Sequence, residues 1–144
     1  IIKDEKVETV DNFKFLGTTI SNNLSWDTNI IQITKKAQQR MYFLRQLKKV
    51  GLKNEILIQF YRAAIESILT FSINVWYGST SEAEKSSLDR IVKTASRIVG
   101  CALPSMPSIY AARTNQKVKK ILADHTHPAK DLFQTLPSGR RFRS

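Results

Sequence analysis

Between Asn54 and Trp76 the chain offers almost no polar surface, and that stretch constrains everything around it. Ile56, Leu57, Phe60, Tyr61, Ala64, Ile65, Ile68, Leu69 and Ile73 recur at helical spacing over most of the helix circumference. A helix apolar nearly all round has to be enclosed by other elements. Gln59, Arg62, Glu66 and Asn74 interrupt it, which argues for a buried central helix and against a membrane span. Tyr77-Gly78-Ser79 ends it. With 42% hydrophobic residues in 144, the chain has material for one domain packed around this helix.

The flanking segments supply the packing partners. A first helix is expected to start at Asp27, acting as its cap, and to stop at Gly51. Ile30, Ile33, Ala37, Met41 and Leu44 follow the spacing of one buried stripe. Ser81-Glu82-Ala83-Glu84 has the form of a capping box and opens a third helix. Leu88, Ile91, Val92, Ala95, Ile98 and Val99 form the apolar stripe of that helix, Lys85, Arg90, Lys93 and Arg97 its basic side, and Gly100 closes it. Leu103-Pro104-Ser105-Met106-Pro107 is a stiff connector to a fourth helix over about 108–123. Ahead of the helices, residues 6–20 read as one or two strands around a turn at Asp11-Asn12, with Val7, Val10, Phe13, Phe15 and Ile20 as their bulk. The predicted fold class is therefore mainly α, a short N-terminal β hairpin followed by a three- to four-helix bundle. Its expected divisions are a β element over 1–24, the helical bundle over 25–123 and a flexible basic tail over 124–144.

Net charge is +11, and it is unevenly placed. Residues 1–27 hold three lysines against five acids, whereas the remainder holds 20 basic residues against seven acidic. Between Thr28 and Lys53 there are seven basic residues and no acid. A solvated helix face mixes signs, so this one reads as a surface for phosphates. Lys35, Lys36, Arg40, Arg45, Lys48 and Lys49, with Tyr42 interleaved, are the candidate contacts on the first helix. Arg113, Lys117 and Lys120 repeat at helical spacing on the fourth. A polyanionic partner, nucleic acid ahead of a membrane surface, is the expectation.

Catalytic templates are missing. The sequence has no glycine-rich phosphate loop, no nucleophile elbow, no metalloprotease helix and no paired acids for a two-metal site. Asp124-His125-Thr126-His127 is the one metal-like cluster, and Cys101, the only cysteine, completes neither a zinc site nor a disulfide. Glu55 and Glu66 are expected to pair with Arg62 or solvent. Trp26, Trp76, Tyr61 and Phe71 suit core packing better than base stacking. No catalytic residue, metal or cofactor is expected, and the chain is not expected to act as an enzyme by itself.

"FKFLGTTISNNLSWDTNI", "KKAQQRMYFLRQLKKVGL", "LIQFYRAAIESILTFSINVWYG" and the closing "LPSGRRFRS" resemble, in order, the C-terminal region of reverse transcriptases from non-LTR (LINE-type) retrotransposons. The resemblance implies that Phe15, Leu16 and Gly17 form a primer-grip hairpin, with Gly17 letting backbone approach the primer. It also implies that the helices form a thumb whose first helix faces an RNA–DNA or DNA duplex. The palm, with the polymerase acids, would lie upstream of Ile1, and the setting would be nuclear. Without a palm, Phe13, Phe15 and Ile20 are expected to be exposed and to drive self-association. A second resemblance is to the N-terminal region of the eighth AlkB homologue, a tRNA-modifying dioxygenase–methyltransferase. This sequence carries neither an oxygenase ligand set nor a glycine-rich turn for S-adenosylmethionine. The competing class is a helical protein-interaction bundle whose charge only confers solubility.

Overall fold

The computed structural model describes residues 8–134 and 136–140. Val7 and the end of the expected tail, 141–144, lie outside them. Over the described residues the chain is a two-stranded hairpin followed by four helical segments, as the sequence predicts.

Strand β1 (Asn12–Phe15) pairs antiparallel with β2 (Thr18–Ser21), and Phe15 faces Thr18 across the turn. The turn is therefore Leu16-Gly17 and not Asp11-Asn12. Both its residues have positive φ, +47° and +88°, the two-residue geometry that matches the twist of paired strands. Asp11 closes the open end instead: its carbonyl accepts from the Asn22 N–H at 2.8 Å and its carboxylate from the Asn22 amide at 3.1 Å. Thr18, Thr19 and Ser21 are buried, because β2 lies against the first helix, α1 (Asp27–Lys49). Asn29, itself buried, accepts the Thr19 N–H at 3.1 Å, and Thr19 Oγ1 bonds Gln32 Oε1 at 2.9 Å. β1 is exposed along its whole length.

Helix α1 buries the predicted stripe of Ile30, Ile33, Ala37, Met41 and Leu44. Its N-cap is Trp26, which offers no side-chain bond, so Asp27 sits inside the first turn and meets the helix dipole rather than capping it. The central helix begins as expected with α2 (Asn54–Tyr61), runs through a π-helical turn (Arg62–Glu66) and ends as α3 (Ser67–Leu69). Leu57, Tyr61, Ile65 and Leu69 are all buried and stand four residues apart. On a regular α-helix a strict four-residue repeat drifts by about 40° per step. The wider π turn takes that drift back and keeps the stripe on the core.

The predicted continuation to Trp76 is broken. Ser72 adopts a left-handed conformation at φ +51°, and α4 (Ile73–Trp76) starts anew before a 3-10 turn at Tyr77–Ser79. The break is held from both sides: the Trp76 indole N–H donates to the Phe71 carbonyl at 2.9 Å, and Arg113 donates to the Thr70 carbonyl at 2.6 Å. By length and composition alone Asn54–Ser79 is apolar enough to cross a membrane, but its inward residues form the centre of the core.

Helix α5 (Glu82–Val99) has the predicted capping box, and Gly100 ends it at φ +85°. Helix α6 (Met106–Ala123) starts slightly earlier than its sequence suggests. Ser105 caps it, and Pro107 falls in the first turn, where a missing N–H costs nothing. Leu44, Leu57, Tyr61, Ile65, Trp76, Leu88, Val99 and Met106 meet in a single core.

Candidate nucleic-acid interface

The exposed side of α1 carries its cations on two flanks. Lys35, Tyr42 and Lys49 are seven residues apart and so lie along one line of the helix, with Gln38 and Arg45 beside them. Gln38, Met41 and Arg45 form one wall of a groove of about 260 Å3. Ser87, Arg90, Ile91 and Thr94 of α5 form the other. Lys36 and Arg40 sit on the opposite flank. Lys36 lines a cleft with Gly17, Ile68 and Phe71, and Arg40 lines another with Phe43 and Phe60. Among the described residues no acid lies within ion-pair distance of any α1 cation, and Lys48 reaches only the Asn54 amide oxygen, at 3.3 Å.

The α6 residues do not extend this surface. Arg113 is committed to the Thr70 carbonyl and holds α6 to the break before α4. Lys117 and Lys120 are exposed, on a helix that packs on α4 and α5, whereas α1 packs on α2, α3, α5 and β2. In the hairpin, Phe15 and Leu16 point outward. Gly17 has a packing reason of its own: a Cβ there would stand 3.1 Å from the Phe71 ring. Phe71 itself is half-exposed and not a core residue. Trp76 and Tyr61 are fully buried, as expected, and Trp26 is partly so.

Ser87, Arg90 and Thr94 were not among the candidate contacts. Their signal was present in the sequence as one face of α5 at i, i+3 and i+7, but nothing in it says that this face stands beside Gln38 and Arg45. The other α5 cation near the cap, Lys85, is paired with Glu82 at 2.8 Å and lies over the Tyr77 ring.

The acids sit elsewhere. Of the two partners expected for Glu66, Arg62 makes no ion pair with it; its Oε2 is buried with no hydrogen-bond partner among the described residues. Burial, helped by that carboxylate, pushes the Tyr61 hydroxyl far above its ordinary range. Partial burial raises the Glu84 carboxyl, but the Ser81 hydroxyl and backbone N–H outweigh it and hold the carboxyl below its usual range. In the metal-like segment, Asp124 accepts from the Thr126 N–H at 2.9 Å and hydroxyl at 2.7 Å, bonds that lower its pKa. His127 Nδ1 accepts from the Ala129 N–H at 3.1 Å. These side chains close a turn, and no group of three or more potential metal ligands occurs among the described residues.

Residues 26–67 match the family model of the N-terminal part of alkylated DNA repair protein alkB homolog 8. The matched span runs from the N-cap of α1 through α2 and the π turn, and it contains every α1 cation. No curated protein matches the chain, and no solved structure does. None of these comparisons supports the resemblance to reverse transcriptases.

Proposed function

We propose that the chain is a non-catalytic helical module of the alkB homolog 8 N-terminal type, and that it holds nucleic acid by the phosphate backbone. The observation that carries this reading is the exposed side of α1. It bears Lys35, Lys36, Arg40, Arg45, Lys48 and Lys49 with no acid in ion-pair reach among the described residues, and it lies inside the matched span. Unpaired cations on a rigid helix attract a polyanion and release its counterions when they bind. The enzyme named by the family model acts on nucleic acid, so a binding segment in that setting has a use without chemistry of its own.

The test is fluorescence anisotropy of a labelled duplex, RNA–DNA hybrid or DNA, titrated across salt. Log affinity is expected to fall linearly with log salt, by about 0.9 for each phosphate neutralised on DNA. Changing Lys35, Arg45 and Lys49 together to Glu is expected to abolish binding while the circular-dichroism spectrum stays helical. Binding that is flat with salt, or that survives the triple change, sinks the proposal and favours a protein-interaction bundle.

A narrower reading is a reverse-transcriptase thumb with its primer grip. The cleft that joins Gly17 of the hairpin to Lys36 of α1 favours it, since it puts the turn and a thumb cation side by side. It requires tighter binding to a recessed 3′ end than to a blunt duplex. Equal affinity for the two removes it and leaves the broader proposal standing.

A further inference from the structure

The furrow between α1 and α5 is more specific than a charged face needs to be. Its two walls each present one arginine, Arg45 and Arg90, and neither has an acid partner among the described residues. No acid lines this part of it. Its floor is apolar: Met41 and Ile91 are almost wholly buried and show the furrow only a thin strip of side chain. Gln38 and Ser87 stand at the edge with an amide and a hydroxyl. At about 260 Å3 the space approaches the lower end of small-ligand sites and exceeds what a bare ion fills. Toward the start of α5 it opens into a second space of about 410 Å3, which shares Gln38 and Ser87 and is lined further by Ile30, Ile31 and Ala83.

We infer that this furrow seats one nucleotide of a single strand, with the phosphate between Arg45 and Arg90 and the base over the apolar floor. The inference rests on the backbone-binding proposal and adds the place and the strand state. A guanidinium offers a planar fork that matches phosphate oxygens, and two of them line one space here, one on each wall. An unstacked base wants an apolar face beneath it and an amide or hydroxyl at its edge, which Met41, Ile91, Gln38 and Ser87 supply. The furrow has a direction as well. The second space is lined by Lys35 and Glu84 together, so cation and acid offset there, whereas the first holds Arg45 and Arg90 with no acid and is the anionic end. A duplex is too wide to enter between two packed helices, so a strand in this furrow is single.

The experiment compares a short single-stranded oligouridylate and oligothymidylate with a blunt duplex, by anisotropy at fixed salt. Arg90→Gln is set against the double variant Lys36→Gln, Arg40→Gln on the opposite flank of α1. Loss of a charge-assisted phosphate contact at Arg90 is expected to weaken single-strand binding about tenfold and to leave duplex binding little changed. The opposite-flank variant loses more charge and is expected to weaken single-strand binding less. Ser87→Phe fills the shared part of the furrow without touching any charge, and is expected to weaken single-strand binding alone. If the wild-type chain binds no nucleic acid at all, both the function and this site fall. If it binds, but Arg90→Gln behaves no differently from the opposite-flank variant, the site falls and the function stands. Stronger loss with uridylate than with thymidylate identifies RNA as the strand; equal loss leaves the site indifferent to the sugar.

Discussion

Arg113 shares its spacing with Lys117 and Lys120, and from sequence the three look like rungs of one basic stripe. The structure gives Arg113 a different task, a 2.6 Å bond from Nη1 to the Thr70 carbonyl, which otherwise accepts only the longer Ile73 N–H bond at 3.3 Å. Arg113→Ala is expected to cost about 1–3 kcal/mol in urea unfolding, because a part-buried carbonyl loses a charged donor. Duplex affinity at fixed salt should barely move, and an equal fall in both would return Arg113 to the binding face. Gly17 separates two causes in the same way. At φ +88° any side chain is strained, and a Cβ also meets the Phe71 ring at 3.1 Å. Gly17→Ala should destabilise the chain by about 1–2 kcal/mol. Leu16, at φ +47° and 79% exposed, should gain stability as Asn, by about 0.5–1 kcal/mol, since it gives up little burial and tolerates the left-handed region better. Differential scanning calorimetry of the two variants checks both signs.

At the scale of elements, what the sequence announces locally is what the structure keeps. The α1 stripe, the Ser81–Glu84 capping box and the Gly100 stop are written in spacings of three and four residues, and each is found where expected. What fails is non-local. Nothing near Thr70 says that Arg113, 43 residues on, will hold the break before α4. Leu16-Gly17 loses to Asp11-Asn12 as a turn on propensity, and only pairing of Phe15 with Thr18 settles it. The furrow is illegible for the same reason, since its two walls come from helices about fifty residues apart. The capping box carries a pH prediction. Ser81 Oγ donates to Glu84 Oε2 at 2.6 Å and Ser81 N–H at 3.0 Å, and together they hold the folded-state pKa below the unfolded one. A depressed carboxyl contributes stability that is present above its unfolded pKa and is lost as pH falls through the folded one. Glu84→Gln should therefore lower the melting temperature at neutral pH and narrow its gap to wild type in acid. A gap constant from neutral to acidic pH would mean that the charge on Glu84 does nothing for the cap.

The molecule as a whole is divided by charge. Its helices carry the basic excess, while the hairpin end carries little charge and much apolar surface. Phe13 and Phe15 project from the same side of β1 with centroids 6.5 Å apart, and both are more than half exposed. Ile20, expected to be exposed with them, is half-buried, because β2 packs on α1 and β1 does not. Among the described residues β1 is thus an outer strand of a two-stranded sheet, with no strand paired to its far edge. Two copies meeting there would bring their least charged surfaces together, against repulsion between chains of net charge +11. Salt screens that repulsion, so self-association should strengthen as salt rises. Nucleic-acid binding should do the opposite, since it is driven by counterion release. Sedimentation velocity across protein concentration and salt reads the first, anisotropy the second. Phe13→Ser with Phe15→Ser should weaken association by about 2–4 kcal/mol over the symmetric contact and leave the salt slope of nucleic-acid binding unchanged. If the wild-type chain stays monomeric at every salt, the exposed strand is merely solvated. If the double variant also loses nucleic-acid binding, the hairpin belongs to the nucleic-acid surface, and the division by charge is wrong.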